Sequence, residues 1–308
     1  MLVIGQSIDD FTYSNIPETY NEYNPATTYT YENYTSLTNA STVRKGFYYY
    51  RSLTTGNIGN DPELTEGKYW TKIGISNRKA MLDQESLSKS ESTSNIVVEF
   101  MRGAKNALAL GYVEANSIKI EYLDLSDIPI PEHTQTIPLV SNKGITDYVK
   151  IVYTPYQITK DYMIYLPLKR IGKKIRITLV PLTLTGYTRC GFLIAGVAID
   201  MGATSDGVPI AYHSYSIVER DVWGKATINK RAIQKEHSFN TYIDKALFAS
   251  TQKDIISLYD KIVCFVIDES DLNLGFENLV TLGNIQKATP TAERKNKNII
   301  AWSVIESL

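Results

Sequence analysis

The sequence predicts a mainly β protein assembled from several short-stranded parts. The chain contains 22 Tyr against 8 Phe, and Tyr and β-branched residues pack well on a half-exposed pleated sheet. Apolar runs recur roughly every 8 to 15 residues with polar turns between them, which is typical of a β-sandwich. The 308 residues are 43% apolar, enough for more than one core. We expect a small three-stranded N-terminal module, a jelly-roll-like β-sandwich in the middle and a small α/β domain at the C-terminal end.

The first segment, residues 1–20, lacks an apolar face large enough for a core, as "GQSIDDFTYSNIPETY" shows. Chain ends of this kind are poorly ordered unless another element ties them down. We therefore predict an extended N-terminal arm that becomes ordered on a neighbouring molecule and that proteases cut first in the isolated protein.

The second segment, residues 21–75, has the pattern of a small β module. "TVRKGFYYYRSL" alternates as a strand, "TTGNIGNDPE" is rich in turn-forming residues, and "GKYWTKIG" is a second strand. The order of "YNPATTY", "VRKGFYYYRSL", Asn57, Pro62 and the closing Tyr69–Trp70 pair resembles the short chitin-binding type of carbohydrate-binding module. Such modules are also common in phage tail proteins.

The aromatic residues of this module have two interpretations. The resemblance implies that Tyr48, Tyr50, Tyr69 or Trp70 stacks on sugar rings. Alternatively, at least half of them form the core of the module, because so short a segment has little else to bury. The sequence favours the core interpretation.

The stretch that closes the module, "WTKIGISNRKAMLDQES", is similar to a segment that recurs in phage tail and prophage proteins, where a β-sandwich follows it. The positions that carry this similarity are Trp70, Gly74, Asn77, Arg78, Ala80, Met81 and Asp83. The resemblance implies that the stretch is a seam between two domains rather than the edge of a binding site.

The third segment, residues 76–205, is the predicted β-sandwich. "LALGYVEANSIKIE" and "RCGFLIAGVAID" are similar to two paired strands of phage sandwiches. The other strand-like runs are "SNIVVEFMR", "DYVKIVYTPY", "DYMIYLPL" and "KKIRITLVPL".

The last segment, residues 206–308, is the predicted α/β domain. Its beginning resembles the same phage proteins at Gly202, Gly207, Tyr215, Ser216, Asp221, Trp223, Gly224 and Arg231. "KALFASTQKDIISLYDK" then repeats apolar residues with a helical period, between the strand-like runs "SFNTYID" and "KIVCFVIDES". This order predicts a strand, a helix and a strand.

Few residues suggest chemistry. His133, His213 and His237 lack the spacing of zinc ligands. The acidic pairs Glu219 with Asp221 and Asp268 with Glu269 would serve a glycosidase only across a cleft. We expect no catalytic, metal or cofactor site. Cys190 and Cys264 stand in apolar runs, which predicts two reduced core thiols.

Charge and hydropathy predict few classes of partner. The net charge is −1 with scattered Lys and Arg, which disfavours a nucleic-acid partner. The apolar runs are shorter than the ~20 residues of a membrane span, so no membrane insertion is expected. The sequence begins without a secretory signal pattern, and we expect synthesis in the cytoplasm of a bacterial host.

The resemblance runs in order through the module, the seam, the sandwich and the C-terminal segment. It implies a non-enzymatic structural component of a tailed-bacteriophage virion, in the tail, the baseplate or the fibre-attachment region. Other virion proteins and copies of the same chain would be its partners. Two alternatives remain: a receptor-recognition protein that binds a glycan of the host surface, and a polysaccharide depolymerase.

Overall fold

The computed structural model describes residues 1–31, 42–83, 88–141, 157–158, 164–182, 186–205, 207–220, 223, 226–267, 279–292 and 297–307. Strand accounts for 51% of the structure and helix for 7%. The prediction of a mainly β protein is therefore confirmed.

The strands form antiparallel sheets. In chain order they are β1 Leu2–Ile4, β2 Tyr13–Ser14, β3 Thr42–Lys45, β4 Tyr48–Ser52, β5 Trp70–Ile75, β6 Ser90–Ser92, β7 Ile96–Met101, β8 Ala107–Gly111, β9 Ser117–Leu123, β10 Gln135–Pro138, β11 Val140–Ser141, β12 Gln157–Ile158, β13 Ile164–Pro167, β14 Lys174–Val180, β15 Thr188–Cys190, β16 Phe192–Gly196, β17 Ala198–Asp200, β18 Ala203–Thr204, β19 Ile210–Ser214, β20 Ile217–Arg220, β21 Ala226–Asn229, β22 Ile233–Asp244, β23 Val263–Val266, β24 Val280–Thr291 and β25 Lys297–Glu306. The helices among the described residues are the α-helix α1, Phe248–Leu258, and the 3₁₀ turns Ala80–Leu82 and Pro131–His133.

The main body is a stack of layers. A five-stranded sheet, in the order β10-β9-β14-β7-β2, shares one apolar core with the three-stranded sheet β13-β8-β16. The opposite face of the three-stranded sheet packs on a large sheet, in the order β17-β1-β23-β24-β25-β22, with β18 and β19 both paired to β22. Helix α1 covers the other face of the large sheet.

Alternation of side chains along its strands lets the three-stranded sheet bury both of its faces. Leu108 and Leu110 of β8 point into the core shared with the five-stranded sheet, whereas Ala107 and Ala109 contact the large sheet. Because both faces of β8 and β16 are buried, these strands appear in the sequence as continuous apolar runs such as "FLIAG" rather than as alternating ones.

The predicted helix lies where its periodicity placed it. Ile255 and Leu258 bury the apolar side of α1 against the large sheet. The strands that flank the helix, β22 and β23, run antiparallel to each other because two further antiparallel strands separate them. The same sheet also takes in residues 2–4 and 198–204, so strands distant in sequence complete it.

The N-terminal segment differs from its prediction. Strand β1 lies inside the large sheet between β17 and β23, and its Val3 and Ile4 are fully buried. Further along, Ile8, Phe11 and Ile16 enter the core of the five-stranded sheet. The expectation that this segment is ordered only by a neighbouring molecule is therefore wrong. Its apolar residues serve different cores, so they form no single apolar face in the sequence.

The module also differs in one detail. "TVRKGFYYYRSL" was predicted as one strand, but it forms the hairpin β3–β4, which pairs with β5 to complete three strands. Lys45 pairs with Tyr48 across a two-residue turn. Gly46 stands first in this turn with φ +58°, and that position of a type II′ hairpin turn favours glycine.

Five predicted features lie outside the described residues. They are the run at 147–156, the carboxylates Asp221, Asp268 and Glu269, and Gly224.

Candidate functional site

The centre of the N-terminal module is an aromatic cluster around Trp70. The Trp70 side chain is 0% exposed, and the rings of Tyr23 and Tyr29 meet it edge-on at centroid distances of 5.8 and 5.1 Å. Its indole Nε1 donates a hydrogen bond of 2.8 Å to the backbone oxygen of Asn60. Trp70 therefore offers no ring face to a sugar in this conformation.

The three tyrosines predicted beside Trp70 have different surroundings. Tyr50 is buried in the same cluster, and burial raises the pKa of its phenol. Tyr48 and Tyr69 are half-buried at the rim of the cluster. The ammonium of Lys72 lies 4.0 Å from the Tyr48 ring centroid, and that of Lys68 lies 5.0 Å from the Tyr69 centroid. A cation already covers part of each ring.

Tyr49, which the sequence analysis did not single out, links the module to the rest of the chain. Its hydroxyl donates to Glu18 Oε2 at 2.6 Å and accepts the backbone N–H of Asn77 at 2.9 Å. Alternation along the "YYY" run of β4 was the available signal, because neighbouring tyrosines on a strand point to opposite faces. Tyr49 thus has a structural role.

The predicted seam is held by polar contacts. The Asn77 amide group donates to the backbone oxygens of Pro17 and Glu91 at 2.7 and 2.8 Å, and its oxygen accepts from the Glu91 N–H. The buried Lys79 pairs with Asp10. Partial burial raises the pKa of Asp10, but the hydrogen bond and charge of Lys79 outweigh it, so the pKa is lowered overall.

A polar groove of about 630 Å³ crosses the outer face of the five-stranded sheet. Arg176 of β14 lies in register between Glu99 of β7 and Glu121 of β9, so these residues form one cross-strand row. Glu99 Oε1 accepts from Arg176 Nε and from a terminal guanidinium nitrogen, each at 2.7 Å. Lys119 pairs with Glu121 at 2.7 Å.

The chemistry of this groove is that of a charge ladder beside an exposed aromatic ring. Both glutamates are more than nine-tenths buried, and Arg176 and Lys119 are their partners within the chain. Tyr13 lies at the edge of the groove, paired with Glu99 and half exposed. The arrangement offers hydrogen-bonding groups and one stacking surface, while the inner carboxylates already hold cations.

The three histidines lie in separate places. His213 Nε2 lies 2.8 Å from Glu236 Oε2, and Ser303 donates to the other oxygen of Glu236 at 2.8 Å. The hydrogen bonds from Ser303 and His213 lower the pKa of Glu236. This serine faces the carboxylate rather than the imidazole, so the trio lacks the order of a nucleophilic triad.

His237 is fully buried in β22. Its Nε2 lies 2.7 Å from the Thr281 hydroxyl. Burial, together with the nearby charge of Lys235, lowers the pKa of His237 to about 4. The imidazole is therefore neutral at neutral pH.

In the part of the chain that the structure describes, few side chains could support metal binding or redox chemistry. It contains no group of three or more His, Cys, Asp or Glu side chains that could hold a metal ion. Cys190 and Cys264 are buried free thiols, as predicted. Burial raises the pKa of each thiol to about 12.

A two-stranded β-ribbon, residues 210–220 and 226–237, extends β22 beyond its pairing with β25. Ile210 pairs with His237 at its base, and Arg220 pairs with Ala226 near its end. The partner strand β25 covers β22 only from Glu236 onward. Within the described residues, β20 and β21 pair only with each other. The phage resemblance runs through Tyr215, Ser216, Trp223 and Arg231 in this region, but the ribbon itself was not predicted.

The ribbon exposes large apolar side chains along its length. Trp223 is 90% exposed. The others are Tyr212, Tyr215, Ile217, Val218, Ile228 and Ile233. A two-stranded ribbon of this kind is marginal in water unless another surface packs on it.

No described helix combines the length and hydropathy that crossing a bilayer requires. Comparison of the chain with protein-family models finds no match, and comparisons with curated proteins and with solved structures find none either.

Proposed function

We propose that this chain is a non-enzymatic structural subunit of a bacteriophage tail, baseplate or fibre-attachment assembly. It would be made in the cytoplasm of the bacterial host and would act in the virion, against other virion proteins and copies of itself. The proposal includes the three-part organisation: a carbohydrate-binding-module-like part at 21–75, a β-sandwich at 76–205 and an α/β part at 206–308, preceded by the extended segment 1–20. The ordered sequence resemblance to phage tail proteins supports it.

The observation that carries the proposal is the path of the N-terminal segment. It adds a strand to the large sheet, donates from the Gln6 side chain and the Ser7 backbone to β16, and pairs with β7 through Tyr13 and Ser14. It then reaches the module, where the backbone N–H of Thr19 donates to the Tyr49 hydroxyl. This N-terminal segment, called the strap below, thus joins all parts into a single body, which suits a load-bearing subunit.

A close backbone contact fixes this strap. A Cβ at Gly196 would lie 2.0 Å from the carbonyl oxygen of Gly5, so the strap can cross the end of β16 only where a glycine stands. The geometry favours a permanent structural element over a movable arm.

A receptor-binding role is the second candidate. The groove beside Tyr13 is a better candidate for the glycan site than the module is. Sugar sites combine a stacking ring with hydrogen-bonding side chains, and Tyr13 stands beside Glu99 and Arg176. Of the four aromatic residues predicted in the module, Trp70 and Tyr50 are buried, which leaves Tyr48 and Tyr69 to contact a glycan. The depolymerase alternative would need a carboxylate free to donate a proton, whereas Glu99 is already bound to Arg176.

Purified particles test the proposal. Tailed particles made by a phage that encodes this chain should contain it in several copies, detected by mass spectrometry, and tail fractions should retain it after the heads are removed. Its absence from particles would contradict the structural role. Retention of the isolated chain on host polysaccharide, lost in Tyr13→Ala and kept in Tyr48→Ala, would favour the receptor role instead.

A further inference from the structure

We infer that the β-ribbon of one copy docks on a second copy of this chain, at an acidic loop of the N-terminal module. The acidic loop is residues 58–66, which include Ile58, Asp61, Glu63, Leu64 and Glu66. The inference rests on the proposed function in one respect: a subunit of a repeating assembly needs a contact between its own copies.

The size of the exposed ribbon surface suits a stable contact. Tyr212, Tyr215 and Trp223 are 60%, 51% and 90% exposed, and an aromatic side chain carries about 150 to 250 Å². These three rings together expose about 400 Å² over the whole ribbon, against the roughly 800 Å² that each partner contributes to a standard interface. The aliphatic side chains of β20 and β21 add to this area.

The charges of the two surfaces are complementary. Lys230 and Arg231 are exposed midway along the ribbon, between β21 and β22, and Glu219 of β20 is exposed as well. The acidic loop presents Glu63 and Glu66 on either side of Leu64, a leucine that is 85% exposed. Each surface therefore combines apolar side chains with charges, and the basic pair of the ribbon is opposite in sign to the acidic pair of the loop. The same chain carries both surfaces, which identifies a second copy as the occupant.

Another described loop exposes a leucine to almost the same extent near acidic residues, but its carboxylates are engaged. Leu125 is 83% exposed between Asp124 and Asp127. Asp124 accepts the backbone N–H groups of Ser126 and Ile128, and Asp127 pairs with Lys174 at 2.7 Å. Electrostatic complementarity acts through charges that face outward. In the acidic loop these are the exposed Glu63 and Glu66, whereas Asp61 pairs with Lys45 at 3.3 Å.

The contact is heterologous when the ribbon of each copy meets the loop of the next copy rather than the two copies exchanging ribbons reciprocally. Repetition of a heterologous contact closes a ring when the rotation between neighbours allows closure. A ring of this kind would suit the repeating assembly of the proposed function.

Charge reversal on the full chain tests the contact. Light scattering over a concentration series should show an oligomer for the wild type. Lys230→Glu with Arg231→Glu should abolish it, as should Glu63→Lys with Glu66→Lys. An equal mixture of these two variants should restore association, because each supplies a surface that complements the other. The matched control, Lys253→Glu with Lys261→Glu on exposed positions elsewhere, should leave the oligomer intact.

The leucines give an independent check. Leu64→Lys should dissociate the oligomer, and Leu125→Lys, at an almost equally exposed leucine, should not. A wild type that stays monomeric at every concentration overturns the inference. An oligomer that survives both charge reversals, a mixture that fails to associate, or dissociation by Leu125→Lys alone also overturns it. If the oligomers behave as expected but the chain is absent from particles, the proposed function is contradicted and the contact between copies is not.

Discussion

The indole N–H of Trp70 donates to the backbone oxygen of Asn60 across the loop that precedes β5, at 2.8 Å. The bond ties the turn-rich segment of the module to its largest core side chain. Since Trp70 is also fully buried between tyrosines, the residue that most suggested sugar stacking in the sequence is a structural centre of the module.

Trp70→Ala should destabilise the module by about 3 to 5 kcal/mol, the usual cost of truncating a buried aromatic side chain. Hydrogen exchange should show loss of protection in residues 42–75 with protection kept in β7, β9 and β14. Leu64→Ala, at an exposed position, should change stability by no more than about 0.5 kcal/mol. A stable Trp70→Ala chain that loses retention on host polysaccharide would reverse this assignment.

Stability should fall between pH 6.5 and pH 4 because of His237. The pKa of His237 in the folded chain is about 4, below its ordinary value near 6.5. Above pH 6.5 the imidazole is neutral in both the folded and the unfolded chain, so its full contribution to stability is present. As the pH falls below 6.5, the imidazole is protonated in the unfolded chain but stays neutral in the folded chain until the pH approaches 4. The loss amounts to about 3 kcal/mol by pH 4.

Denaturant unfolding at several pH values measures this loss. His237→Gln, although less stable at neutral pH, should show a slope between pH 6.5 and 4 that is smaller by about one proton. His213→Gln, at an exposed histidine, serves as the control. An unchanged slope in His237→Gln would show that other groups cause the acid sensitivity.

The sequence predicts much of this fold because its strands carry local signals. The alternation in β14 and the helical period of α1 are both visible in the residues they bury. The N-terminal strap could not be predicted in the same way, because Val3 lies in the core beside the helix whereas Phe11 and Ile16 lie in the core of the five-stranded sheet, so these residues share no period. The ribbon was missed for the opposite reason: its alternating residues are exposed, and alternation alone does not show what they contact.

The groove ladder gives a double-mutant test. Arg176→Met should leave the buried Glu99 without its main partner, at a cost on the order of 3 kcal/mol. The double variant Glu99→Gln with Arg176→Met should recover most of that loss, because no charge then stays buried alone. Chemical unfolding of the four chains measures the coupling. If the losses in unfolding free energy are additive, Glu99 and Arg176 are not coupled and other groups in the groove pair with them.

The N-terminal strap should resist proteolysis in the isolated chain. Buried side chains anchor this segment throughout, so cleavage within it requires wider unfolding; they are Met1, Val3, Ile4, Ile8, Phe11 and Ile16. Phe11→Ala should cost about 3 to 5 kcal/mol and make the strap an early cleavage site. Tyr13→Ala, at a half-exposed neighbour, should change little. Early cleavage within residues 1–16 of the wild type would instead support the free arm that the sequence suggested.

The central claim is that this chain is a structural subunit of a phage tail assembly, and cryo-electron microscopy of intact tailed particles tests it most directly. The account predicts density in the tail, the baseplate or the fibre-attachment region that the layered body fits, in several symmetry-related copies. Each β-ribbon should reach the acidic loop of the next copy. Particles with no density for this body at any of these positions would contradict the account.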